Sequence, residues 1–282
     1  MMVQSREMPS GEASWAAGLR LLAICLTLVP PAGCATIASN YRDWSPDQAV
    51  LPFAEIGGDR VCVHNIRNCT YLSTDDYVVD YYDKTFDLDE LSSVWFINVP
   101  FKYLPSLAHT MLSFGFDGGD YLAVSVEVRK EKGEQYAIIG GVLNRYEIMY
   151  VVGDERDLVK LRTNYRMDDV YVYRADATSE QARALFLDVM DRVNQLAATP
   201  EFYHTFDNNC TTNIVDHINR LNPDRVPRDI RVLLPGYSDR LAYELGLIEA
   251  DLPFDQMKRR ANVSHLARIY ADSPDFSEKI RQ

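Results

Sequence analysis

No stretch of this 282-residue chain approaches the roughly 20 consecutive apolar residues that a membrane-crossing helix needs. The longest apolar run, Leu21 to Val29, falls far short, so no spanning helix is expected in the mature chain. Basic residues are in deficit: 29 Lys and Arg against 41 Asp and Glu leave a formal net charge of −12. Such a surface repels polyanions and gains nothing from anionic headgroups, which argues against nucleic acid as a partner and leaves membrane attachment to acyl chains. Cysteine is scarce, 5 in all, and the spacing offers no metal pattern, so neither a metal nor a cofactor is expected. Internal repeats and low-complexity tracts are missing too.

What is present begins with a processing segment. Arg6 and Arg20 precede the apolar run, which ends in Pro30-Pro31-Ala32-Gly33-Cys34. Ala-Gly-Cys resembles the core of a bacterial lipobox, which implies cleavage before Cys34 and lipid on that residue. Ala35 after it resembles the enterobacterial sorting pattern for the periplasmic face of the outer membrane. Residues 1–33 are therefore expected to be a lipoprotein signal peptide, 34–52 a polar tether, and 53–282 a single globular domain. The other cysteines divide by position. Cys25 leaves with the signal. Cys62 and Cys69, close in sequence, are expected to pair in an oxidising compartment, which leaves Cys210 single: a buried bystander or a reactive thiol.

Between His109 and Arg174 the pattern is that of strands, at His109–Phe116, Tyr121–Arg129, Gln135–Ile139, Arg145–Val152, Leu158–Thr163 and Asp169–Tyr173, with turns such as Asp117-Gly118-Gly119-Asp120 between them. Connections this short predict an antiparallel sheet or half-barrel. Helices follow. Thr178 and Gln181 form a capping box for a helix over 179–197, Asn208-Asn209-Cys210 precedes the apolar spacing Ile214, Val215, Ile218 and Leu221, and a third helix is expected from Ser238 to Leu245. The fold class is thus α+β, with helices packed on the sheet and an irregular tail after it.

Cys210 at a helix start is placed to be nucleophilic, because unpaired N–H groups and the helix dipole favour a thiolate. Of the five histidines, His109 has the best geometric support. Matching the apolar faces of the hairpin requires Leu112 opposite Val124 and Phe114 opposite Leu122, which sets His109 across from Glu127. Docking the Cys210 helix on that face would give nucleophile, base and orienter. Without the cysteine, a cross-strand ion pair is the plainer reading. Asn208 and Asn209 read as turn and cap residues, and Asp154 to Asp157 as a charged turn.

His109 with Ser113-Phe114, the run Val124-Ser125-Val126-Glu127-Val128-Arg129, Tyr146-Glu147, Asp154-Glu155-Arg156-Asp157, Tyr171-Val172-Tyr173 and Asn208-Asn209-Cys210-Thr211-Thr212 resemble the periplasmic domain of Lnb-type lipoprotein N-acyltransferases over about residues 100–220. That resemblance implies a permuted papain or NlpC-like fold, with Cys210 as nucleophile, His109 as base and Glu127 as third member. It also implies acyl transfer or acyl hydrolysis, with phospholipid as donor and a lipoprotein amine as acceptor. Two other readings stand beside it: a cell-wall amidase or peptidase acting on peptidoglycan, and a non-catalytic lipoprotein that binds lipid or peptide in the same groove.

Overall fold

The computed structural model describes residues 37–134, 141 and 145–282. The expected signal segment, Cys34 and the expected strand Gln135–Ile139 lie outside the described residues. The body from Ala38 to Gln282 forms one unit. Its strands are β1 (Phe53–Gly57), β2 (Arg60–Arg67), β3 (Thr70–Tyr71), β4 (Tyr77–Val78), β5 (Tyr81–Asp87), β6 (Leu91–Phe101), β7 (Leu104–Phe116), β8 (Asp120–Arg129), β9 (Glu147–Asp154) and β10 (Tyr171–Arg174). The main sheet runs β1-β2-β9-β8-β7-β6-β10, with β5 paired to β2. Its pairings are antiparallel except where β2 meets β9. In the β7–β8 hairpin Leu112 faces Val124 and Phe114 faces Leu122, the register expected from the apolar alternation.

That alternation creates two cores. On one face, here the inner face, Leu112, Phe114, Val124, Val126 and Tyr150 meet α2 (Ser179–Ala198) and α3 (Cys210–Leu221). Helix α2 opens on the expected capping box of Thr178 and Gln181. Its fully buried Phe186 packs edge-on against Phe114 at 5.1 Å, and burial of such a ring contributes about 1.5–3 kcal/mol. On the reverse face Met111, Ala123, Met149 and Val151 meet α1 (Glu155–Lys160). The remaining helices are α4 (Ile230–Leu233), α5 (Ser238–Glu244), α6 (Phe254–Ala261), α7 (Ser264–Ile269) and α8 (Phe276–Lys279).

Four expectations are corrected. Leu158–Thr163 is not a strand but the end of α1 and a π-turn, since a short apolar run does not distinguish the two by period. The tail is helical, because Met257, Ala267, Phe276 and Ile280 bury against the body. The segment expected as a tether is bonded to the body from Ser39 on: Trp44 and Gln48 are buried, and Gln48 accepts from Lys130 N–H at 2.7 Å. Cys62 and Cys69 are free thiols. Most of the chain between them is the extended β2, at about 3.3 Å per residue, and that separation is incompatible with the short Cα–Cα span of a disulfide.

Candidate functional site

Helix α3 starts at Cys210 because Asn209 caps it: the Asn209 side chain accepts from Thr211 N–H at 2.9 Å and Thr212 N–H at 3.0 Å. The thiol is 8% exposed and its hydrogen-bond contact is the Thr211 hydroxyl, at 3.8 Å. Thr211 also meets Thr110 of β7 at 3.1 Å, which fixes the helix start on the inner face. Further along α3, Tyr150 donates to Asn213 at 3.0 Å and lies 2.8 Å from His217 Nε2. The other ring nitrogen of His217 meets Asp188 of α2 at 2.5 Å, so this polar set ties both helices to β9. Burial lowers the His217 pKa.

His109 leaves β7 on the other side. It pairs with Val99 of β6 while Thr110 pairs with Asn98, and this ladder is unbroken from Ser113 to Ala108. Its ring therefore joins the reverse face, where Nε2 lies 2.7 Å from Ser125 Oγ. Ser125 donates its own proton to Glu127 Oε1 at 2.8 Å, so the ring must be the donor at Nε2, which leaves Nδ1 with a lone pair. Arg162 donates to the same carboxylate oxygen at 3.0 Å. Burial, with the charge of Arg162, brings the His109 pKa down to about 3 and keeps the ring neutral. Burial alone would raise the Glu127 carboxyl, but Arg162 and its neighbours hold it well below its usual range.

The structure thus brings His109 and Glu127 together, 3.8 Å apart with Ser125 between them, and does not bring Cys210 to either. No hydrogen bond joins the thiol to the His109 ring. The expected contact is corrected for a topological reason. The apolar stripe of α3 covers the face of Leu112 and Val126, and His109 is of opposite parity. The β7–β8 ladder ends at Met111–Ser125, so His109 lies just where the strands part.

Sequence reasoning missed three partners. Ser125 is hidden as a small polar residue in an apolar strand. Arg162 falls within the expected strand Leu158–Thr163, where no role is legible. Asp157, fully buried, accepts from Arg67 Nε at 2.8 Å and Nη2 at 2.9 Å, from Cys69 N–H at 2.9 Å and from the Tyr71 hydroxyl at 2.9 Å. The signal for it was Asp154 followed by Glu155 and Asp157, a capping residue with acidic residues in the first turn, which is the mark of a helix start: Asp154 caps α1. Burial pushes the Cys69 thiol up to about 12, so it is an inert core residue. Among the described residues no cluster of His, Cys, Asp and Glu is arranged to hold a metal, and no helix is long and apolar enough to cross a membrane.

Beside the start of α3 the inner face opens into a cavity of about 590 Å³. Its walls are mainly aliphatic and aromatic: Phe96 and Leu112 from the sheet, Leu185 from α2, Ile214 from α3 and Leu241 from α5. Asp176, Glu180 and Arg225 bring charge to its rim, and Thr211, the residue after Cys210, lines it while Cys210 itself does not. Volume and lining match those of pockets that take small apolar ligands.

A family model described as the Lnb N-terminal periplasmic domain matches residues 77–236, which contain strands β4 to β10, the polar sets of His109 and His217, and α3. No curated protein matches the chain, and no solved structure does.

Proposed function

The chain belongs to the Lnb N-terminal periplasmic domain family, and from that premise we propose that it is a periplasmic envelope domain that takes a lipid acyl chain into the cavity beside Cys210. The cavity carries this reading. An acyl chain needs an apolar wall with polar groups for its head, and Phe96, Leu112, Leu185 and Ile214 supply the one while Glu180, Arg225 and Thr211 supply the other. Attachment through lipid on Cys34, at the outer membrane, belongs to the same proposal.

A second reading adds chemistry, and the position of Cys210 favours it: a capped helix start bordering the cavity is where a thiolate is best stabilised. In that reading the sulfur attacks an ester carbonyl, an S–C bond forms, the C–O bond breaks, and the departing alkoxide takes the proton that the thiol gives up and leaves as the lysolipid. An amine or water then attacks the thioester, the new N–C or O–C bond forms as the C–S bond breaks, and the nucleophile's proton restores the thiol. His109 and Glu127 stay outside that chemistry, since both lie on the reverse face of the sheet. The order of sheet, histidine and cysteine helix is the feature that supports the likeness to a permuted papain or NlpC-type fold.

One experiment separates the two readings. The purified full-length chain is incubated with vesicles of diacyl phospholipid, and bound lipid and the mass of the Cys210 peptide are both read. Lipid bound without an adduct supports binding alone. An acyl mass on Cys210 that Cys210→Ala lacks supports transfer. Neither lipid nor adduct overturns both.

A further inference from the structure

Three chain connections project beyond one end of the sheet. The first is the β6–β7 hairpin, whose turn is Lys102-Tyr103 and whose last pair is Phe101 with Leu104. The second precedes α3. Phe202 pairs with Glu147 at the start of β9 and Tyr203 bonds to Tyr146, so the chain runs outward past β9, and the turn closed by His204 and Asn208 carries Phe206 at its tip. The third is the entering chain: Arg42 pairs with Glu147, and Trp44 bridges to Glu131 just beyond the end of β8. All three lie at the same end, because β6 and β8 finish there while β7 and β9 begin there.

This end is unusually apolar for an exposed surface. Tyr103 is 98% exposed, Tyr41 95% and Phe206 55%, and Phe101 and Leu104 beside them are also exposed. The opposite end of the same strands is the turn Asp117-Gly118-Gly119-Asp120, which has no apolar side chain. Single aromatic tips on separate turns do not make the continuous flat patch that a protein partner covers. They suit the headgroup boundary of a bilayer, where an aromatic body lies in an apolar layer and the hydroxyl of a tyrosine stays wet.

The chain leading into the body points to the same occupant. Ala38, where the body starts, is four residues from Cys34, the site of the lipid proposed above, on which this part of the argument rests. Four residues span at most about 14 Å, so a membrane-held N-terminus keeps this end within that reach of the surface. The net charge of −12 excludes attraction to anionic headgroups, so the surface must be recognised by insertion of apolar groups.

We propose that the end of the sheet bearing Tyr103 and Phe206 is a bilayer-docking surface that inserts these aromatic tips among zwitterionic phospholipid headgroups. It stands apart from the chemistry of Cys210, which is buried. The surface would set the start of α3 towards the membrane, as delivery of an acyl chain to the cavity requires.

The test uses the full-length chain bound to phosphatidylcholine vesicles that contain a phosphatidylcholine with a diazirine in the upper part of its acyl chain. After irradiation, label is expected on the peptides holding Tyr103 and Phe206 and not on that holding Asp117 to Asp120. The double variant Tyr103→Asp, Phe206→Asp should lose that label while it stays on the vesicles with an unchanged melting temperature. Cys210→Ala should label as the wild type does, so failure of the thiol chemistry and failure of docking are read separately. Absence of label from both tips overturns the proposal. So does label that persists in the double variant, which would mean proximity through the N-terminus alone, and so does a chain-to-chain adduct at the tips, which would mean a second copy as occupant.

Discussion

Replacing Asp157 by asparagine should destabilise the domain by about 3 kcal/mol, the lower part of the range for breaking a buried ion pair. Asp157 is fully buried and Arg67 is 3% exposed. One carboxylate oxygen accepts from Arg67 Nε and Cys69 N–H, the other from Arg67 Nη2 and the Tyr71 hydroxyl. An amide keeps only one acceptor, so whichever way the new side chain turns, two donors face an NH2 group, and the guanidinium loses its main counter-charge. Asp47 at 3.6 Å offers partial compensation, which is why the lower value is expected. Urea unfolding followed by circular dichroism reads the change. With a slope near 3 kcal/mol/M for a domain of this size, the midpoint should fall by about 1 M. Replacing both partners, Arg67→Met with Asp157→Leu, should cost less than the single change, since no charge is then stranded. A midpoint shift below about 0.2 M for Asp157→Asn would refute the reasoning.

Two further outcomes follow from the structure. Gly236→Ala would place a Cβ 1.9 Å from the Pro105 carbonyl oxygen, a backbone atom that cannot yield, so a loss of about 1–3 kcal/mol is expected in the same urea assay. His109 titrates at about 3 when folded against 6.5 when free, so the unfolded chain takes the proton first as pH falls. Its contribution to stability is full above pH 6.5 and declines between 6.5 and about 3, by at most about 1.4 kcal/mol per pH unit. The depressed Glu127 carboxyl acts in the same direction below its ordinary 4.5. His109→Asn should therefore flatten the fall of melting temperature from pH 6.5 to 4.5, and unchanged slopes would count against a half-buried neutral ring.

How far the sequence was legible varied with the physics behind each element. The register of the β7–β8 hairpin was readable because a one-residue slip would turn Phe114 and Leu122 out of the core. The starts of α2 and α3 were readable because their caps, Thr178 with Gln181 and Asn209, are local signals. The side of the sheet that α3 would cover was not. Its period groups Cys210 with Ile214, but both faces of the sheet are apolar, with Leu112 and Val126 on one and Met111 and Met149 on the other. Nothing local tells a helix which to choose, so His109 and Glu127 were paired correctly in space and Cys210 was assigned to the wrong face. The bonding of Ser125, Arg162 and Asp157 is not legible in the sequence because a buried polar network is a property of tertiary contacts, not of spacing.

The claim on which the functional account turns is that an acyl chain occupies the cavity beside Cys210. Titrating the full-length protein with a phospholipid whose acyl chain carries a polarity-sensitive fluorophore tests it directly. Ile214 lines the cavity, and Ile214→Trp would fill part of its roughly 590 Å³. The account expects saturable binding with a blue shift, lost in Ile214→Trp and kept in Cys210→Ala; equal binding by Ile214→Trp and the wild type would contradict it.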